Sequence, residues 1–266
     1  MRSTFEKLAI RSLRQLGVFP TRMTTSSEIL ELVAKLRPVP IKTRLVRFGP
    51  SGDGGYLIPD DLDRVSACFS PGVSDQSGFE VQCADLGLAV YMADGSVEAP
   101  PVTNGHFKFI KKFLGAVSSD DTVTLEDWVE RSVGMEAEAN LLLQMDIEGY
   151  EYEVILSTAP RILDRFRIIV VEFHHLDLLW SRPFFPFISH AFEKLLKNHS
   201  CVHIHPNNYS VVFTKGELHI PEVMEFTFLR KDFVRKADIP LSFPHPLDAD
   251  NCPDRPPVVL PKCWHS

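Results

Sequence analysis

The chain has 266 residues, 44% of them hydrophobic and 24% charged, with Gly and Pro scattered rather than massed in tracts, so an ordinary globular core is available. Its 28 Lys and Arg against 35 Asp and Glu give a net charge of -7, which leaves no basic surplus for a phosphate backbone and disfavours a nucleic-acid partner. No apolar run approaches the roughly 20 residues that span a bilayer, no secretory signal opens the chain, and the odd set Cys68, Cys83, Cys201, Cys252 and Cys263 has no C-x-x-C spacing, which together point to a soluble protein of the reducing cytoplasm.

Phe5, Leu8, Ala9, Leu13 and Leu16 recur at helical spacing with Lys7, Arg11 and Arg14 between them. This predicts an amphipathic helix that packs on the main domain or on a second copy of the chain, with a membrane-surface role as the alternative for its basic face. After a turn at residues 17–20, Ser26 or Ser27 is expected to cap a second helix through Ile29, Leu32, Val33 and Leu36, stopped by Arg37-Pro38-Val39-Pro40. Residues 1–40 therefore read as a helical extension and 41–243 as the main domain. Residues 244–266 read as a Pro-rich irregular tail packed on that domain, where Leu247-Asp248 and Asn251 are candidates to cover the site or a neighbouring subunit.

In the main domain, β-rich runs at residues 65–70, 88–93, 141–146, 167–173 and 200–205 alternate with helical stretches, and a late strand follows at 222–230. Such alternation is the mark of βαβ units and a mostly parallel sheet, in which ligands bind beyond the carboxyl ends of the strands.

The first of these strands runs into Phe69-Ser70-Pro71-Gly72-Val73-Ser74-Asp75-Gln76-Ser77-Gly78-Phe79-Glu80, a small-residue turn and then a helix start. Ser70, Gly72 and Ser77 are candidate cofactor contacts there, because small residues admit a ligand to the backbone and helix N-termini present free N–H groups. Ser74 and Gln76 depart from the dinucleotide fingerprint, so a cofactor without a pyrophosphate fits better, and S-adenosylmethionine is one. Asp94 lies about 20 residues beyond Gly72 at the end of the second strand, the spacing at which a carboxylate holds ribose hydroxyls. The earlier segment Gly52-Asp53-Gly54-Gly55-Tyr56 lacks the Lys and Ser/Thr of a phosphate loop and reads as a loop over the ligands, with Asp53 on the cofactor and Tyr56 on the acceptor.

The strand at 141–146 opens into Met145-Asp146-Ile147-Glu148-Gly149-Tyr150-Glu151, and strand alternation predicts that Asp146 and Glu148 face the same way. This run resembles the D-x-E-G-x-E segment of the FkbM-like methyltransferases. The resemblance extends, in order, from the Gly52–Tyr56 segment through Thr124-Leu125-Glu126-Asp127-Trp128, Val171-Glu172-Phe173-His174 and Asn207-Asn208 to Glu225. It implies a class I methyltransferase with a Rossmann-like three-layer α/β/α sandwich, S-adenosylmethionine as methyl donor, and a hydroxyl of a saccharide or other small molecule as acceptor.

A sugar hydroxyl is a poor nucleophile at neutral pH, so its transfer step needs a base or a metal. His174 is the first candidate base because imidazole titrates in the working range, and Glu148 or Glu172 the next. Asp146 is also placed on the cofactor, and with Glu172 or His174 it offers oxygen-rich ligands for a divalent cation such as magnesium. His205, Asn207 and Asn208 are candidate acceptor contacts. The alternatives are a metal-dependent hydrolase using His174, His175, His203 and His205 with Asp146, a metal-dependent glycosyltransferase, and a non-catalytic glycan-binding module on the same fold.

Overall fold

The computed structural model describes residues 4–135 and 140–266, the side chains of residues 4–9 excepted, so the apolar stripe expected of Phe5, Leu8 and Ala9 rests on side chains outside what is described. The chain opens with α1 (Thr4–Gln15) and α2 (Ser26–Lys35). The cap of α2 is Thr25, not Ser26 or Ser27: Thr25 and Glu28 form a reciprocal capping box, and both serines fall inside the first turn. The Thr-x-x-Glu spacing wins because it satisfies two backbone donors where either serine would satisfy one.

The main sheet has seven strands, β1 (Val65–Pro71), β2 (Ala89–Ala93), β3 (Phe107–Ile110), β4 (Asn140–Met145), β5 (Phe166–Phe173), β6 (His199–Pro206) and β7 (Met224–Arg230). They lie in the order β3-β2-β1-β4-β5-β7-β6. The first five pair in parallel, and β7 enters antiparallel between β5 and β6. All eight residues of β5 are buried, as expected of a central strand covered on both faces, which is why it reads as a continuous apolar run.

The remaining helices are α3 (Gly78–Asp85), α4 (Leu125–Val133), α5 (Glu151–Ser157), α6 (Pro160–Leu163) and α7 (Phe185–Asn198). Strand alternation sorts the core into two clusters. On one face Phe69, Leu143, Val171, Phe173 and Phe226 pack with Leu32 of α2, Trp128 of α4, Tyr152 of α5 and Phe192 of α7. On the other, Cys68, Met92, Leu142 and Val170 pack with Phe79 and Cys83 of α3 and with Tyr56 and Ile58, from an antiparallel hairpin of Leu45–Phe48 with Tyr56–Pro59. Each of these large apolar side chains contributes about 1.5–3 kcal/mol by leaving water. Both Cys68 and Cys83 are buried free thiols, and burial, then contact with Cys83, raises the Cys68 thiol well above its usual range.

The tail returns to the sheet rather than trailing off. Trp264 is fully buried near Phe226, and its indole Nε1 donates to the His219 carbonyl at 2.9 Å. Among the described residues no helix is long and apolar enough to cross a membrane.

Candidate active site

Three strand ends meet at Gly72. Its backbone has φ +86°, its N–H donates to the Ala93 carbonyl at 3.0 Å, and a Cβ there would lie 1.6 Å from the Asp146 carbonyl oxygen. Only glycine lets the turn after β1 pass so close to the end of β4. Asp94 ties that turn to the one after β2: its carboxylate accepts from Ser74 N at 2.9 Å and from Ser96 N and Oγ at 2.7 and 2.6 Å. Burial pushes the Asp94 carboxyl up, but these hydrogen bonds outweigh it and hold the group below its ordinary value. The adjoining recess is lined by Asp53, Tyr56, Gly72, Ser74, Gln76, Gln144 and Asp146 among others. Ser70 stands behind that wall, fully buried, its hydroxyl between Glu80 and Gln144 Oε1, the latter at 2.5 Å. Ser77 precedes α3, and its buried hydroxyl has no hydrogen-bond partner among the described residues.

At the next strand end the alternation argument stops working. Strand β4 ends at Met145, and the chain turns through Glu148 and Gly149 with φ values of 56° and 104°. The Glu148 side chain is consequently 86% exposed where that of Asp146 is 27% exposed. What brings the two together is His174, just past β5, whose Nε2 lies 3.4 Å from Glu148 Oε2 and 3.9 Å from Asp146 Oδ1. The other ring nitrogen is held from behind. Its Nδ1 is 3.2 Å from Oε1 of Glu151, a fully buried carboxylate that also accepts from Ile147 N at 3.2 Å and Gly149 N at 3.0 Å. Oε1 already accepts from two backbone N–H groups and acts as an acceptor, so Nδ1 carries the hydrogen and Nε2 faces the cleft. Tyr56 OH donates to Asp146 Oδ2 at 3.2 Å.

A row of ionisable side chains continues across the sheet. Glu172 of β5 is register partner of Glu225 of β7, and Glu225 of His205 of β6. Asn207 Nδ2 donates to Glu172 Oε1 at 2.9 Å. From the tail, Asn251 Nδ2 donates to Asp53 Oδ1 at 3.2 Å and to Glu225 Oε1 at 3.5 Å. Asp248 pairs with both buried histidines, 2.8 Å from His203 Nε2 and 3.5 Å from His205 Nδ1. His205 thus faces the tail, and Asn208 does as well: its Nδ2 donates to the Cys252 carbonyl at 2.8 Å while its Oδ1 accepts from Cys252 N at 2.8 Å. Asn207, by contrast, lines a cleft of about 780 Å³ with Asp53, Asp146, Glu148, Glu172, His174, Tyr209, Asn251 and Arg255. This cleft and the recess beside Gly72 share Asp53, Asp146 and Glu148.

Burial and crowding displace the titrations. Burial, with Glu148 and Glu151 adding to it against His174, raises Asp146 to about 7. Burial and then the Asp146 charge raise Glu172 to about 8, and burial is also the main cause that lifts Glu225 to about 8. For His174 burial acts downward, but the hydrogen bond and charge of Glu151, followed by Asp146 and Glu172, lift it to about 9. All four groups hold protons more tightly folded than unfolded, so stability is highest toward the acid end of the window between about pH 5 and about pH 9 and falls as pH rises through it. A thermal melt series across that window is expected to show Tm dropping by on the order of 5 °C, and Glu172→Gln to shrink the drop. A flat or rising Tm would contradict these displaced titrations.

Asp146, Glu148 and His174 can each place a ligand atom within 4.8 Å of the other two, as can His175, Asp177 and Glu222; Glu172 stands outside the first trio. The roles of Glu151 and Glu225 were missed from sequence. The signal for Glu151 was its place two residues after a turn glycine and at the head of a helix.

Residues 75–199 match the family model described as the methyltransferase FkbM domain. No curated protein matches the chain. Among solved structures it is similar to a candidate methyltransferase from an antibiotic biosynthesis pathway of Anabaena variabilis, with 11% identity, a TM-score of 0.28, and 55% of this chain and 63% of that one covered. A candidate RNA methyltransferase of Pyrococcus horikoshii gives 10% identity, a TM-score of 0.31, and 77% and 99% coverage. The chain spans less than two thirds of the length of the first of these structures. The ends of β2, β4 and β5 that build the site fall inside the stretch 75–199 that matches the methyltransferase FkbM domain.

Proposed function

We propose that the protein is an S-adenosylmethionine-dependent O-methyltransferase acting on a saccharide hydroxyl, with a Rossmann-like three-layer architecture of the class I kind. The carrying observation is that two spaces meet at Asp146: the small-residue recess beside Gly72, and the polar cleft of His174, Asn207 and Tyr209. Apolar clusters on both faces of the sheet support the layered fold.

S-adenosylmethionine supplies an electrophilic methyl on a sulfonium. Asp94, whose carboxylate already accepts three hydrogen bonds beside the recess, has one lone pair left for a ribose hydroxyl, the Gly72 turn admits the ligand to the backbone, and Asp53 with Asp146 offers negative charge to the sulfonium. On the acceptor side, the backing of Nδ1 by Glu151 orients His174 Nε2 to take the hydroxyl proton, the oxygen bonding to the methyl carbon as the methyl–sulfur bond breaks and S-adenosylhomocysteine would leave as a neutral thioether. Glu148 and Glu172 are the alternative bases. In the alternative where a metal rather than a base activates the hydroxyl, Asp146, Glu148 and His174 through Nε2 are the residues that would hold the divalent cation, and a set with an imidazole suits manganese or zinc as well as magnesium.

The test is calorimetric titration with S-adenosylmethionine and S-adenosylhomocysteine, with and without magnesium, and with a sugar nucleotide as control. Saturable binding of an adenosyl ligand is expected, weakened about tenfold or more in Asp94→Ala as ribose hydrogen bonds to a carboxylate are lost. Unchanged affinity in that variant would remove Asp94 from the ribose role, and binding of the sugar nucleotide alone would move the reading to glycosyl transfer.

A further inference from the structure

Buried polar atoms left without partners mark what a site is built to receive. Among the described residues lining the acceptor-side cleft, three buried side-chain atoms make no hydrogen bond: Asp146 Oδ1, Glu172 Oε2 and Asn251 Oδ1. All three are acceptors once the two carboxyls are ionised, and no buried donor nitrogen of that lining is left over. The Asn251 amide cannot be turned to change this, because its Nδ2 already serves the carboxylates of Asp53 and Glu225. Glu172 is only 3% exposed, so its free oxygen sits within the wall of the cleft rather than in bulk water.

The charge of the lining runs the same way. Asp53, Asp146, Glu148, Glu172 and Glu222 face it; against these five carboxyl groups stand His174, whose Nδ1 is engaged by Glu151 and whose Nε2 lies 3.4 Å from Glu148, and Arg255, which is stacked 4.2 Å from the Tyr209 ring and donates to the Tyr209 carbonyl. A neutral hydroxyl brings one hydrogen to such a wall; an ammonium brings three and a positive charge, and its hydrogen bonds to carboxylates are the stronger kind. A carboxylate or phosphate on the acceptor would meet like charge.

We infer that the acceptor carries a protonated amine near the hydroxyl to be methylated, as in an amino sugar, and that Glu172 Oε2 is the principal acceptor for its ammonium. The inference rests on the methyltransferase reading only for which group reacts; the preference for an amine belongs to the cleft itself.

The test compares the methyl glycosides of glucosamine, N-acetylglucosamine, glucose and glucuronic acid by ligand-observed NMR at neutral pH. A chelator is present, and the series is run with and without S-adenosylhomocysteine. The glucosamine glycoside is expected to bind about tenfold tighter than the N-acetyl and glucose glycosides, and glucuronide weakest. Glu172→Gln should bring the amine preference down to about twofold or less, the loss of one charge-assisted hydrogen bond. Equal or weaker binding of the amine, or no detectable binding of it, overturns the inference in the wild-type protein alone, whatever the variant does. An amine preference undiminished in Glu172→Gln overturns the role of Glu172. An amine preference alongside failure of S-adenosylhomocysteine to bind would sink the methyltransferase reading and leave this one standing.

Discussion

Replacing His174 with alanine is expected to lower kcat by roughly a hundredfold or more, the usual contribution of a positioned general base, while the Kd for S-adenosylmethionine changes by less than about threefold. The imidazole meets the acceptor cleft with Nε2 and is backed at Nδ1 by a carboxylate that is itself fixed by two backbone N–H groups. That backing also sets when the base is available. With His174 raised to about 9, the ring is protonated in the empty site at neutral pH, and turnover should climb with pH through the neutral range. Glu151→Gln removes the strongest upward influence on the ring, so the rising limb of the rate profile should move to lower pH. Normal turnover in His174→Ala would pass the role of base to Glu148 or Glu172, and an unmoved limb in Glu151→Gln would separate Glu151 from the titration.

Gly72→Ala should be the most damaging single-methyl change in the chain. The new Cβ would stand 1.6 Å from the carbonyl oxygen and 2.7 Å from the carbonyl carbon of Asp146, backbone atoms that cannot swing aside as a side chain would. Gly87 provides a matched control, since its φ of +82° is nearly that of Gly72 but nothing lies within 4 Å of a Cβ there. Gly87→Ala should therefore cost only the left-handed backbone penalty, about 1–2 kcal/mol. Gly72→Ala should cost more than about 3 kcal/mol, because relieving the overlap means parting the ends of β1 and β4, and it should abolish cofactor binding with it. Denaturant unfolding of the two variants side by side decides the matter: equal losses would mean that the strand ends separate without penalty.

The strands of the main sheet were legible because those buried on both faces leave a simple trace, an apolar run that stops at a polar or small residue. Gly72, Asp94, Asp146 and His174 all sit at such stops, and the structure brings them to one edge of the sheet. What the pattern did not carry was the placement of β7, because an antiparallel strand inserted between β5 and β6 has the same burial as one at the edge. Asp146 and Glu148 do reach the same cleft, but alternation does not explain their unequal exposure, because it holds only while pairing lasts and pairing ends at Met145. His205 and Asn208 were read as acceptor contacts without sight of the tail, and contacts between residues some 40 positions apart leave no local spacing to read. The support of His174 by Glu151 was hidden likewise, although both residues stood in plain motifs, because it depends on where two different strand ends meet.

The tail has a consequence for how such a protein diversifies. The stretch that matches the family model, residues 75–199, holds Asp94, Asp146, Glu151 and His174, whereas Asn207, Tyr209, Asn251 and Arg255, which also line the cleft, come after it. That side of the cleft is fastened by a few detachable ties, chiefly Asp248 to two histidines and Asn208 to the backbone of Cys252. Substitutions in the tail can therefore redraw that side of the cleft, and with it the range of molecules admitted, without touching Asp94, Asp146, Glu151 or His174.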